Sequence, residues 1–149
     1  MRSDDDEGLR RFVADRFPRL RRSAFLMCGD WTVADEQARA TLARLVADSR
    51  RGVEDPDAYA WWDLMRAFAH RPGRRERVFA DANGETPERV LLLDALHRLA
   101  PLCRAVLVMR HVDGFEPDEV ADVLGIAAER VAAYEAAGVR ALRELVTTS

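Results

Sequence analysis

Leu96 to Val131 reads LHRLAPLCRAVLVMRHVDGFEPDEVADVLGIAAERV, and its punctuation decides the fold. Pro101 suits the first turn of a helix that runs to about Val112, since its missing N–H has no partner there in any case. Glu116-Pro117 opens a short helix to Leu124. Gly125 then breaks the pattern before a last helix from about Ala127 to Val146. Two helices joined across a glycine turn at this spacing form a helix-turn-helix.

Upstream, the same punctuation gives more helices. Pro87 opens one through Leu99. Glu7 to Met27 places Leu9, Phe12, Val13, Phe17, Leu20, Ala24 and Met27 at helical spacing, with a bend expected at Pro18. Cys28-Gly29-Asp30 ends that helix, and Asp30 or Thr32 can cap a second that runs to about Arg50 and buries Ala38, Leu42, Leu45 and Val46. A third begins near Asp55-Pro56 and turns Tyr59, Trp62, Met65 and Phe68 toward the core. No stretch sustains the alternation of a strand, so the class is all-α.

From His70 to Thr86 the run HRPGRRERVFADANGET mixes proline, glycine and charge without an apolar stripe. The expected organisation is therefore two small helical domains joined by a linker: residues 1–70, a basic linker over 71–86, and a helix-turn-helix domain over 87–149. Each domain is expected to have its own core.

Composition narrows the function. Of 149 residues, 48% are hydrophobic, enough for a buried core. The apolar runs Val90 to Leu93 and Ala105 to Met109 are far shorter than the ~20 residues of a membrane span. The acidic opening Asp4-Asp5-Asp6-Glu7 has no apolar segment of a secretory signal and suits a helix start, so a cytoplasmic location is expected. Cys28 and Cys103 lack metal or redox spacing and read as reduced core thiols. His70, His97 and His111 share no ligand spacing, and no nucleophile, metal or phosphate-loop motif is present. Neither an enzyme, a cofactor nor a metal site is expected.

Charge is uneven along the chain. Residues 1–80 carry net +2 and residues 81–149 net −5, with all 23 basic residues being arginine. Phosphate neutralisation supplies much of the affinity for DNA, so an acidic helix-turn-helix half is unusual.

The stretch Leu96 to Val131 resembles the −35 binding domain of ECF-type (extracytoplasmic-function) bacterial sigma factors, whose pattern is LPxxxRxVLxLR followed by GxxxxEIAxxLG. FVADRFPRLRRSAFLMCGDWTVADE, from Phe12 to Glu36, resembles the core-binding domain of short actinobacterial members. The resemblance covers about Gly8 to Val146. It implies a sigma-factor-like regulator that directs RNA polymerase through its first domain and promoter DNA through its second. It places Asp35, Glu36 and Arg39 at the polymerase contact and the segment from Trp61 to Arg77 at the −10 element. Arg130, Arg140 and Arg143 would hold −35 DNA.

Several positions differ from the family pattern. Arg39 and Ala40 stand where it has a Gln-acid pair, Arg66 and His70 where it has Asn and Asp, and Arg130-Val131-Ala132-Ala133-Tyr134 where it reads TVKSR. Alanine can touch a thymine methyl but makes no bidentate hydrogen bond to a base. A second reading follows: a degenerate sigma-like protein that acts by protein contact, with an anti-sigma or another protein as partner.

Individual residues keep two readings. Arg71, Arg74, Arg75 and Arg77 can each neutralise a phosphate or simply favour a helix C-terminus. Trp61 and Trp62 lie ~100° apart on one helix, so one is expected to be exposed, where it can stack on an unpaired base or seal the bundle edge. In the last helix Glu135 falls on the inward stripe of Val131, Gly138, Leu142 and Leu145. Either Tyr134 turns in and Glu135 reaches the edge, or Glu135 meets an arginine or a partner protein.

Overall fold

The computed structural model describes residues 2–69 and 86–147, with side chains in the first segment from residue 6. The described residues form seven α-helices and no strand: α1 Arg2–Cys28, α2 Trp31–Ser49, α3 Pro56–Phe68, α4 Pro87–Arg98, α5 Pro101–Leu107, α6 Pro117–Leu124 and α7 Ala128–Thr147. The expected linker lies almost wholly outside them. No helix among them is long and apolar enough to cross a membrane.

Helix starts follow local chemistry. The Asp30 carboxylate accepts from the backbone N–H groups of Thr32 and Val33 at the head of α2. Asp55 accepts from Ala58 N–H, with Pro56 in the first turn of α3, and Thr86 accepts from Arg89 N–H at α4. Glu119 reaches back to the Glu116 N–H at 2.9 Å to open α6. Helix α1 starts earlier than its apolar spacing suggests, because the acidic lead is itself helical, and it continues through Pro18.

α1, α2 and α3 pack on one another, while α7 lies across α4, α5 and α6. The expectation of two separate cores is not met. Leu20, Met27, Leu45, Leu64 and Met65 belong to one continuous apolar cluster with Val106, Met109, Val120 and Val131. Helix α3 packs on α6, and α1 touches α4 and α5, so the two halves are docked.

The inward face of α3 also differs from the expected one. Trp61, Leu64, Met65 and Phe68 are buried, whereas Trp62 is 43% exposed and Tyr59 half-buried. Both sets have helical spacing, and docking against α6 selects the first. Tyr59 instead donates its hydroxyl to Asp48 on α2, and that bond, helped by burial, pushes its pKa up to about 12.

After α5 the backbone widens into one π turn, Val108–Val112. The Asp113 N–H bonds to the Val108 carbonyl at 3.0 Å, Gly114 takes φ +76°, and the Phe115 N–H bonds to the Met109 carbonyl at 2.9 Å. A positive φ of this size suits glycine, which has no Cβ to clash. The result is a tight corner that aims Asp113 and Phe115 at the first half of the chain.

Candidate nucleic-acid interface

The helix-turn-helix is present as expected. Gly125, with φ +66°, ends α6 in the left-handed conformation, and the Ile126 N–H returns to the Ala121 carbonyl at 3.1 Å. Helix α7 is seated by fully buried Val131 and by Gly138, where an added Cβ would lie 2.8 Å from both Cys103 Sγ and Leu107 Cδ1. The Cys103 thiol donates to the Tyr134 carbonyl at 3.3 Å, and burial pushes its pKa up. Neither cysteine is in a disulfide; Cys28 is half-buried and Cys103 buried.

The Glu135 alternatives resolve in favour of an arginine. Its carboxylate lies 3.3 Å from Arg110 Nε and 3.0 Å from His111 Nε2, so the inward-facing acid is paired at the edge of the π turn. Arg110 also donates to the Phe115 carbonyl at 2.8 Å, which ties α7 to the corner below it.

Outward, α7 exposes Glu129, Arg130, Ala132, Ala133, Ala136, Ala137, Arg140, Arg143 and Glu144. Arg140 and Arg143 are free to reach phosphates. Arg130 folds back along its helix: its Nη2 donates to the Tyr134 hydroxyl at 2.9 Å, and its guanidinium lies 5.5 Å from the centroid of the Tyr134 ring. The helix therefore offers two exposed cations, one folded cation and an alanine surface.

In the first half, Asp35 is shared between Arg39 at 2.7 Å and Arg21 at 3.3 Å, and Arg39 also lies over the Phe17 ring at 4.9 Å. Glu36 is exposed one position on. These three residues lie together on the outer side of α2, but the Asp35 charge is balanced within the chain.

Trp61 does not fit its expected role. It is 0% exposed, with Phe115 edge-on at 5.3 Å and the Arg19 guanidinium 5.2 Å from its ring centroid. No base can stack on it while the halves are docked. The exposed indole is Trp62, covered on one face by Arg66 at 4.5 Å. Its exposure follows from its 100° offset from Trp61, and only docking could decide between the two. His70, Arg71, Arg74, Arg75 and Arg77 lie outside the described residues.

Two buried carboxylates escape a search for apolar stripes. Asp63 is 2% exposed and accepts from Thr41 Oγ1 at 2.7 Å and from Arg44 at 2.7 and 2.9 Å, with Arg66 at 3.2 Å. Burial pulls its pKa upward, but the bonds from Arg44 and Thr41 outweigh that and hold it below the ordinary carboxylate range. Asp113 has a fully buried side chain, and there burial prevails and raises its pKa despite bonds from Ser23 and Trp61. An acid at an inward helical position, as Asp63 is between Ala60 and Leu64, was a readable signal. Asp113 gave none, because its burial comes from the other half.

Residues 89–142 match the family described as Sigma-70, region 4. The RNA polymerase sigma-E factor of Streptomyces coelicolor is 33% identical over 107 residues, covering 69% of this chain and 55% of that protein. The protein of the same name from Streptomyces antibioticus is 35% identical over 124 residues, covering 80% of this chain and 64% of its own length. The chain thus spans between about half and two thirds of these curated relatives. The matched region contains α6, the Gly125 turn and α7 as far as residue 142, the longer alignments extend the likeness beyond it, and the chain belongs to the family of ECF-type RNA polymerase sigma factors.

Proposed function

We propose that this chain acts as a sigma factor in the cytoplasm, binding core RNA polymerase through residues 1–70 and promoter DNA through residues 87–149, with 71–86 as the linker. It works by binding rather than catalysis. The observation that carries the reading is α7: a seated helix behind a glycine turn, its outer face exposed, with Arg140 and Arg143 free for phosphates and Arg130 at its amino end. Asp35, Glu36 and Arg39 on α2 make the polymerase contact. Arg71, Arg74, Arg75 and Arg77 add phosphate contacts near the −10 element, and DNA binding by the free chain is weak. The test is reconstitution with core polymerase from a high-GC actinobacterium at physiological salt. A stable stoichiometric complex that selects promoter fragments supports the reading, and failure to co-purify overturns it.

One observation favours a second reading, a sigma-like protein that acts through protein contact, including contact with an anti-sigma partner. The exposed face of α7 carries Ala132, Ala133, Ala136 and Ala137 where base-reading groups would stand. Complex formation with polymerase without promoter selection distinguishes it.

A further inference from the structure

We propose that Asp113 latches the two halves of the free chain together and that this latch must release before both halves can occupy one promoter. The inference rests on the promoter reading above and extends it to regulation.

The corner after the π turn holds the Asp113 backbone within its own half, but the carboxylate points into the other. Its Oδ atoms accept from Ser23 Oγ at 2.7 and 2.9 Å, on α1, and from Trp61 Nε1 at 3.0 Å, on α3. Arg22 of α1 lies 4.0 Å away, with its side chain half exposed. The Asp113 side chain is fully buried, as are Ser23 and Trp61. Phe115, two residues on, closes edge-on against Trp61. One acidic side chain thus makes hydrogen bonds to two elements of the opposite half.

The chemistry suits reversible closure. An apolar residue at this position would hold the halves by burial alone and would be exposed to water on opening. A carboxylate is costly to bury and regains full hydration once released. Neutral hydroxyl and indole donors offset that cost only in part, and Arg22 stands too far off for a tight ion pair. The contact is specific in geometry and not strongly favoured in energy, as a latch requires.

Distance gives the latch its consequence. Elements named −10 and −35 lie about 25 base pairs apart, or about 85 Å at about 3.4 Å per pair. A compact chain of this length has a radius of gyration of about 15 Å and is about 40 Å across. The docked form cannot reach both elements. Docking also withdraws Trp61 and packs the first helix of the helix-turn-helix on α3.

Small-angle scattering of the full chain tests the latch directly. Wild type is compared with Asp113→Ala, Ser23→Ala and Trp61→Phe, with helix content followed by circular dichroism. Wild type is expected near about 15 Å, and Asp113→Ala and Ser23→Ala are expected to shift to a larger radius with unchanged helix content. If Asp113→Ala loses helix, Ser23→Ala decides, because it removes one hydroxyl from within a long helix. An unchanged radius in Ser23→Ala and Trp61→Phe overturns the latch, as does a wild-type chain that is already extended. In parallel, holoenzyme binding to a duplex carrying both elements should rise several-fold in the variants that open. A larger radius in a chain that does not bind polymerase at all leaves the contact standing and overturns the promoter reading instead.

Discussion

Arg130 donates to the hydroxyl of Tyr134 one turn further along α7, at 2.9 Å, with its guanidinium above the same ring. In this position the arginine at the head of the recognition helix is stored against its own helix. Both residues are exposed or half-exposed, so the contact is weak and a guanine edge competes well for the same donors. Arg130→Ala should relax preference at one or two −35 positions, at about 1–3 kcal/mol for a lost bidentate base contact. Tyr134→Phe removes the competing hydroxyl and should leave that preference intact or sharpen it. Binding of holoenzyme to a set of single-base −35 variants checks both. Unchanged preference in Arg130→Ala means that this helix does not read bases.

The two buried carboxylates give opposite pH responses. Asp63 has a lowered pKa, so its contribution to stability is present above the ordinary carboxylate value of about 4 and is lost as pH falls below it. Asp113 has a raised pKa, so its contribution favours the docked form below that value and weakens as pH rises through the raised one. The groups facing Asp113 are Arg19, Arg22 and Ser23 on α1 and Trp61 on α3. Denaturation at a series of pH values should therefore show Asp113→Asn abolishing the decline just above pH 4. Arg44→Ala should destabilise the chain by about 1–3 kcal/mol, since Asp63 then keeps only Thr41 and Arg66, and its effect should shrink in acid.

Gly138 is demanded by packing rather than by backbone conformation. Its missing side chain lets α7 settle on Cys103 and Leu107, and a Cβ there would stand 2.8 Å from atoms of both. Gly138→Ala should cost about 1–3 kcal/mol through overpacking, despite alanine being the better helix former. Thermal unfolding of the full chain measures it. A stabilised Gly138→Ala protein would mean that α5 and α7 separate more easily than this contact implies.

Local chemistry explains which features were legible in the sequence. Pro87, Pro101, Pro117 and Gly125 act on their own neighbours, so the helix starts and the turn of the helix-turn-helix could be read directly. Trp61 and Trp62 could not be told apart, since either fits an apolar stripe and the choice depends on where α6 docks. Asp113 sits in a polar, glycine-containing turn that looks solvated in sequence, and only the other half of the chain makes it buried. The Arg130–Tyr134 contact has a visible i, i+4 spacing, but spacing alone does not separate an arginine folded on its own helix from one extended toward DNA.

The exposed face of α7 can be tested by restoring charge. Ala132, Ala133, Ala136 and Ala137 are exposed to solvent. The arginines Arg130, Arg140 and Arg143 are opposed on the same helix by Glu129, Glu135 and Glu144, in a half with net −5. With so few phosphates neutralised, the free chain should bind a −35 duplex no better than the ~10⁻⁴–10⁻⁶ M of nonspecific contact. Ala132→Lys, Tyr134→Arg and Ala137→Arg together place cations where the family pattern is basic. If α7 faces the groove, affinity should rise, and each added phosphate contact should steepen the log-log salt dependence by ~0.9. Salt-titrated anisotropy on both proteins with one duplex measures the slope. Tight, steeply salt-dependent binding by the native chain would refute the weak-binding expectation, and no gain in the triple variant would mean that α7 is turned toward a protein.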